Sequence, residues 1–404
     1  MKYVVILGDG MADYPVKELG YKTPLQCAIK PNIDRCASLG ELGLVKTVPE
    51  HLNPPGSDIA NMAVLGYDPD KYYTGRSPLE AVSMGIDLNQ DDLAVRCNLV
   101  TLSDEEVYED KIMMDYSSDE ISSQEAAELI SFIDEKLGSD LIKFYAGISY
   151  RHCLVWKLKG EVDMDCTPPH DILTKRIGDY LPTTEQGRVL LNLMKESEKL
   201  LKDHPVNKAR IEKGLNPATS IWLWGEGRKP YLDSFSDKYK VTGAVVSAVD
   251  LIKGLGLCAG LKTINLKGVT GTITTDFSAK ANSTIDYLLN EGDFVYVHIE
   301  APDECGHRFE IENKVRSIEL IDEKVVGPIF EALSKHGDFK MMILPDHATP
   351  LSLRTHTHDP VPYIIYDSTN IKEATDLTYD EECAKKTSIL FEEGHTLMDH
   401  FLKG

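Results

Sequence analysis

The chain contains no run of about 20 consecutive apolar residues, the length a membrane-spanning helix needs. Its opening, MKYVVILGDG, reaches Gly-Asp-Gly after some five apolar residues. That is short of the ~7–15 apolar residues and the small-residue cleavage site of a secretory leader. Blocks of Lys and Arg are also absent. The 404 residues carry 43 basic and 65 acidic side chains, for a formal net charge of -22 spread along the sequence. Nucleic acids and anionic membranes both reward basic patches, so neither is expected as a partner. The eight cysteines form no C-x-x-C pair, which argues against a zinc-finger-type site and suits a reducing compartment. A cytoplasmic protein is expected. There is no G-x-x-x-x-G-K-[ST] loop, and GLGLCAG (254–260) lacks the spacing of a dinucleotide fingerprint. No internal repeat or low-complexity tract is found.

What is present is a globular composition, 42% hydrophobic and 27% charged, in a chain long enough for two domains. Short continuous apolar runs recur: YVVIL (3–7), IWLW (221–224), FVYVHI (294–299), MMIL (341–344) and PYIIY (362–366). Such runs are the pattern of parallel strands covered on both faces. Amphipathic segments at 244–256 and 314–337 separate them with helical spacing. The alternation implies an α/β, doubly wound, mostly parallel sheet. Between about 87 and 175 the texture changes to strand–helix–strand–strand, including a Ser-capped helix at 122–138 and a tight turn near Gly147. A smaller α+β cap domain at 87–175, inserted into a core of 1–86 and 176–404, is expected.

Three apolar runs stop at aspartates: VVILGDG at Asp9, VYVHIEAPD at Asp303 and MMILPDH at Asp346. Ligands of open α/β sheets bind at the carboxyl ends of the strands. Parallel strands would therefore gather three mutually repelling carboxylates at one edge, and a cation would resolve the repulsion. Histidines accompany them. Asp303 and His307 are one helical turn apart, His347 follows Asp346, and His356 opens HTHDPVP. A mixed Asp/His shell suits Zn, Mn or Fe better than Mg alone, and so many ligands imply two ions rather than one. Taken singly, each motif has a plain reading, an Asp after a strand being commonly a helix cap. Ser57, in NPPGSDIANMAVLG, has two readings as well. It can be an ordinary N-cap, or a nucleophile whose alkoxide or phosphate form is favoured by the helix N-terminus.

Together, ILGDGMAD, PPGSDIANMAVLGYDP with GRSPLEA, SYRH, SIWLWGEG, GAVVSAVDLIKGLG, HIEAPDECGHR, LPDHATP and HTHDPVP resemble the archaeal-type branch of the cofactor-independent phosphoglycerate mutases. That branch lies within the alkaline phosphatase superfamily. The resemblance spans nearly the whole chain and implies an alkaline-phosphatase-like core with a mobile cap. It implies two divalent metal ions, Mn or Zn before Mg. Asp303, His307 and His356 match the ligands of one, and Asp9, Ser57, Asp346 and His347 those of the other. The HTxxPVP frame selects His356 over His358. It implies a small phosphorylated hydroxy acid as substrate and a phosphoserine at Ser57 between 3- and 2-phosphoglycerate. Arg96, Arg151, His152 and Lys280 are the candidates for binding the substrate's carboxylate and phosphate. Alternatives are a homoserine kinase of the same branch, a metal-dependent phosphatase and a metal-stabilised binding protein.

Overall fold

The computed structural model describes residues 1–404. Thirteen strands run in chain order: β1 (Lys2–Gly8), β2 (Glu41–Val45), β3 (Asp92–Leu102), β4 (Met113–Asp115), β5 (Ile142–Tyr145), β6 (Arg151–Lys157), β7 (Ser220–Arg228), β8 (Gly243–Val246), β9 (Lys262–Thr263), β10 (Phe294–Ile299), β11 (Phe339–Leu344), β12 (Val361–Asp367) and β13 (Leu390–Phe391). They form two sheets in two compact units, Met1–Tyr73 with Tyr231–Gly404, and Thr74–Pro230.

The larger unit holds an eight-stranded sheet in the order β13-β2-β12-β11-β1-β10-β8-β9. Its centre is β1, hydrogen-bonded in parallel to β10 on one side and β11 on the other. Val4, Val5, Ile6 and Leu7 are all fully buried, and every residue of β10 is buried. Helices cover both faces, so alternation would gain nothing and the strands read as unbroken apolar runs. Because the three central strands are parallel and adjacent, their carboxyl ends share one edge. Two of the expected parallel runs differ. PYIIY lies in β12, which is antiparallel to both β11 and β2. IWLW lies in β7, in the other unit's sheet. The apolar content of a strand reports burial on both faces and carries no information on direction. The helix expected over 244–256 is strand β8 followed by the helix Asp250–Cys258.

In the smaller unit all strand-to-strand pairings are antiparallel, in the order β4-β3-β6-β5 with β7 also paired to β3. All eleven residues of β3 are buried, between β6 and β7. The helix Ser123–Leu137 begins at Ser122, whose hydroxyl accepts from the Glu125 amide as an N-cap. This unit is wider than the 87–175 expected. Its sheet is completed by β7, whose pairing with β3 spans more than 100 residues of chain and leaves no local sequence mark. No helix is long and apolar enough to cross a membrane, and all eight cysteines are free.

One buried ion pair fixes the loop after β11. Lys314, in the helix Ile311–Ile321, places Nζ 2.7 Å from Asp13 Oδ2 and 2.8 Å from the Thr349 carbonyl, with both side chains almost fully buried. Asp13 also accepts from the Leu351 amide at 3.1 Å. Removing one partner of such a pair strands the other charge. Lys314→Met is expected to destabilise the protein by about 3–5 kcal/mol in urea unfolding at pH 7. Adding Asp13→Asn is expected to recover part of that loss, as a double-mutant cycle would report.

Candidate metal centre and nucleophile

Asp9 is the first residue beyond β1, and Gly10 turns the chain there with φ at +63°. A Cβ on Gly10 would lie 2.7 Å from Asp303 Oδ1 and 2.8 Å from Asp303 Cα, so only glycine lets these two strand ends come so close. After β10 the chain enters the helix Ala301–Arg308, started by Pro302, which carries Asp303 and His307 on one face. Gly306 on this helix lies against the loop after β11, where a Cβ would meet the Thr349 carbonyl at 2.6 Å. β11 ends at Leu344, and Asp346 and His347 follow, both fully buried. His356 precedes β12. Because β12 is antiparallel, its start lies at the edge where β11 ends. The reversed strand therefore brings His356 to the carboxylates.

Two clusters result. In the first, His307 Nε2 is 3.2 Å from Asp303 Oδ2, His356 Nε2 is 3.4 Å from Asp303 Oδ1, and the two Nε2 atoms are 3.0 Å apart. In the second, His347 Nε2 lies 3.1 Å from Ser57 Oγ, 3.4 Å from Asp346 Oδ2 and 3.6 Å from Asp9 Oδ1. The rings of His347 and His356 stack with centroids 3.8 Å apart, so the clusters adjoin. Ser57 is the first residue of the helix Ser57–Val64, with Gly56 at the cap position, and its hydroxyl makes no capping bond. It points to His347 instead, so the plain capping reading does not describe it. His358 stands outside both clusters, its Nε2 bonded to the Leu52 carbonyl at 3.0 Å.

The donor set fits cations for three reasons. Ligand oxygens of Asp9 and Asp346 lie within 4.8 Å of each other, where two negative charges repel by roughly 3–4 kcal/mol at an effective dielectric near 20. Asp9 Oδ1 is buried with no hydrogen-bond partner. The histidine tautomers point the same way. His307 Nδ1 faces the Arg354 carbonyl at 2.9 Å and His356 Nδ1 faces the Pro55 carbonyl at 3.1 Å. His347 Nδ1 faces Thr349 Oγ1 at 3.2 Å, and that hydroxyl donates to Asp303. Each Nδ1 thereby carries a hydrogen, so that in a neutral, cation-bound ring each Nε2 turns a lone pair into the site, while in the metal-free protein a protonated His307 donates from Nε2 to Asp303. The lone pairs of His307 and His356 then face each other until a proton or a metal ion lies between them.

Burial, followed by the charges of Asp346 and Asp303, pushes the Asp9 carboxyl well above its usual range. Burial opposes ionisation of Asp303 too, but hydrogen bonds from His307 and His356 hold it well below that range. Burial lowers His347. His307 is raised to about 9, its bond to Asp303 outweighing burial.

Three contributors were not read from the sequence. His298 is fully buried on β10, with Nε2 2.9 Å from Asp9 Oδ2 and Nδ1 3.2 Å from Ser247 Oγ. Asn61 donates to Asp346 Oδ2 at 2.7 Å and to the Ser57 carbonyl at 2.8 Å, and accepts from the Tyr296 hydroxyl at 2.6 Å. Tyr296 and His298 are two apart on β10 and so share a face, but both sit inside an apolar run where a polar atom reads as part of the core.

The four residues expected to bind substrate are placed differently. Lys280 is fully buried and donates to the His298 carbonyl at 2.8 Å, with burial lowering it to about 8. The other three lie in the smaller unit. Arg96 is buried, with Nη1 2.6 and 2.8 Å from the two Glu80 oxygens and its guanidinium over the Trp224 ring. His152 is buried and accepts from the Gly147 amide at 3.0 Å, and burial lowers it to about 3, which leaves it neutral. Arg151 is exposed, with its guanidinium 5.8 Å from the Tyr150 ring centroid.

The chain has well-matched relatives among known proteins. A family model for 2,3-bisphosphoglycerate-independent phosphoglycerate mutase matches residues 37–207. The chain is 46% identical over 402 residues to the probable 2,3-bisphosphoglycerate-independent phosphoglycerate mutase of Geobacter sulfurreducens, covering 100% of both. It is 48% identical over 390 residues to the 2,3-bisphosphoglycerate-independent phosphoglycerate mutase of Methanosarcina barkeri, covering 96% of each. Among solved structures, the cofactor-independent phosphoglycerate mutase of Thermoplasma acidophilum superposes with a TM-score of 0.67 at 25% identity, over 100% of this chain and 99% of that one. A Pyrococcus horikoshii protein superposes with a TM-score of 0.82 at 28% identity, over 100% and 96%.

The His307–Asp303 contact has a pH signature in the metal-free protein. With a folded pKa of about 9 against an ordinary value of 6.5, the contact stabilises fully below pH 6.5 and is lost as pH rises through 9. In urea unfolding of EDTA-treated protein, the stability advantage of wild type over His307→Gln is expected to shrink steadily from pH 6.5 to 9.5.

Proposed function

The chain belongs to the 2,3-bisphosphoglycerate-independent phosphoglycerate mutase family, and from that premise we propose that it interconverts 3- and 2-phosphoglycerate through a phosphoserine at Ser57. The observation that carries this reading is the Ser57 hydroxyl at a helix start, 3.1 Å from His347 Nε2 and in one cluster with Asp9 and Asp346. Two divalent ions would be held, one by Asp303, His307 and His356 and the other by Asp9, Ser57, Asp346 and His347. When bound, such ions neutralise phosphoryl oxygens and ease loss of the serine proton. Imidazole ligands favour Mn or Zn over Mg.

In the forward direction Ser57 Oγ forms a bond to the phosphorus of 3-phosphoglycerate as the bond to the C3 oxygen breaks. The proton shed by Ser57 ends on that departing oxygen. Glycerate then turns, its C2 oxygen bonds to the phosphorus, and the Ser57 O–P bond breaks, with the proton of the C2 hydroxyl returning to Ser57 Oγ. The phosphate is never released, so no bisphosphoglycerate is needed. The helix Ser57–Val64 favours phosphate at its N-terminus, and Asn61 holds the Ser57 carbonyl and Asp346 in one frame. Among the cations expected to bind substrate, Arg151 is the one we assign to the substrate's anionic groups, because it is exposed and carries a bidentate fork. Arg96 serves by holding Glu80, and Lys280 by packing behind the metal cluster. His152, being neutral, serves as a hydrogen-bonding group.

The test is a coupled assay of 2-phosphoglycerate formation from 3-phosphoglycerate, with protein stripped by EDTA, reloaded with Mn²⁺ and supplied with neither nucleotide nor bisphosphoglycerate. Turnover is expected, with kcat lowered about a thousandfold or more in Ser57→Ala. A folded, Mn²⁺-loaded protein that makes no 2-phosphoglycerate overturns the reading, and ATP with homoserine would then be the substrates to try.

A further inference from the structure

Four histidines surround the strand ends, and one of them has the opposite tautomer to the rest. Its Nδ1 faces the Ser247 hydroxyl at 3.2 Å, and that hydroxyl already accepts from the Val249 amide at 3.0 Å. The hydroxyl hydrogen is thus available to the ring nitrogen. On the other side, His298 Nε2 faces Asp9 Oδ2 at 2.9 Å. With a cation bound beside it Asp9 is ionised and only accepts, so a bond there requires hydrogen on Nε2. Both sides give one result: Nδ1 accepts, and Nε2–H donates. When neutral, His307, His347 and His356 carry their hydrogen on Nδ1 and turn Nε2 lone pairs inward. His298 turns a donor inward.

Geometry alone would allow His298 as a ligand, since His298, Asp9 and Asp346 offer ligand atoms within 4.8 Å of one another. The tautomer argues otherwise. We propose that His298 is a positioning residue: locked by Ser247, it holds Asp9 by Oδ2 and leaves Oδ1 as the one oxygen free to meet a cation beside Ser57, Asp346 and His347. The unpartnered, buried state of Asp9 Oδ1 is the observation that matches. The ring is fully buried on β10 and bonded at both nitrogens, and Lys280 holds the backbone carbonyl of the same residue at 2.8 Å. The inference rests on the reading of Asp9, Ser57, Asp346 and His347 as a cation site. Groups that orient a metal's ligands typically change affinity 10–100-fold when lost.

The test is equilibrium dialysis against Mn²⁺, which counts ions and measures their affinities independently of turnover. Four proteins are compared: wild type, His298→Ala, His298→Gln and Ser247→Ala, each checked for folding by circular dichroism. Wild type is expected to bind two Mn²⁺. His298→Ala should weaken one of them about 10–100-fold while leaving the other unchanged. Glutamine can place an amide N–H where Nε2–H stood, so His298→Gln should recover most of the loss. Ser247→Ala, which frees the tautomer, should fall between wild type and His298→Ala. Wild-type affinity in His298→Ala would overturn the proposal. So would His298→Gln binding as weakly as alanine, since that result would make the imidazole itself the ligand. A wild-type protein that binds no Mn²⁺ would fail earlier and differently, by removing the cation site on which the inference stands.

Discussion

The larger unit is organised around a repulsion. Three parallel strands end side by side, and the chain puts a carboxylate at or just beyond each end: Asp9, Asp303 and Asp346. Asp9 and Asp346 are buried where water cannot screen them, and left alone they would disfavour the geometry that brings them together. The surroundings are arranged to hold them in place all the same. Gly10 removes the side chain that would separate Asp9 from Asp303. Asn61 and two backbone amides hold Asp346, and Thr349 donates to Asp303. Nothing holds Asp9 Oδ1. A site that satisfies nearly every polar atom but leaves one buried carboxylate oxygen without a partner and turns three histidine Nε2 atoms inward is built to be completed by positive charge.

Backbone direction has chemical consequences here. Had β12 run parallel to β11, its start would lie at the far edge of the sheet and His356 would be remote from the cluster. The single reversal puts the residues before β12 at the edge where β1, β10 and β11 finish. The loop between them is in turn held from below by the Lys314–Asp13 pair, which binds the Thr349 carbonyl and the Leu351 amide. A charge pair outside the chemistry thereby sets the position of His347.

The legible parts of the sequence were those with a local cause. Unbroken apolar runs marked strands covered on both faces, and the aspartates ending three of those runs marked the sheet edge. The four-residue spacing of Asp303 and His307 placed both on one helix face. Direction and sheet membership were not legible, because β12 and β7 look like β1 while pairing with strands that only the folded chain brings near. His298 and Asn61 were missed for a related reason. A histidine in FVYVHI and an asparagine in SDIANMAV read as a buried strand residue and a polar helix position. Their significance lies in partners about 290 and 285 residues away. Ser57 reads in sequence as a cap or a nucleophile, and the contact of its hydroxyl with His347 depends on a residue 290 positions away.

The central strand β1 takes both its neighbours from the last third of the chain, with registers joining Tyr3 to Phe294 and Val4 to Met341. Synthesis runs from the other end. Asp9 and Ser57 leave the ribosome early, and the whole of Thr74–Pro230 is made before either flanking strand of β1 exists. The smaller unit can close its own sheet as soon as β7 appears, whereas the larger one must wait for β10 and β11. The nascent chain therefore carries Ser57 and Asp9 through most of translation without the later residues that surround them in the folded protein. The clusters can be complete only once the residues up to His356 have emerged.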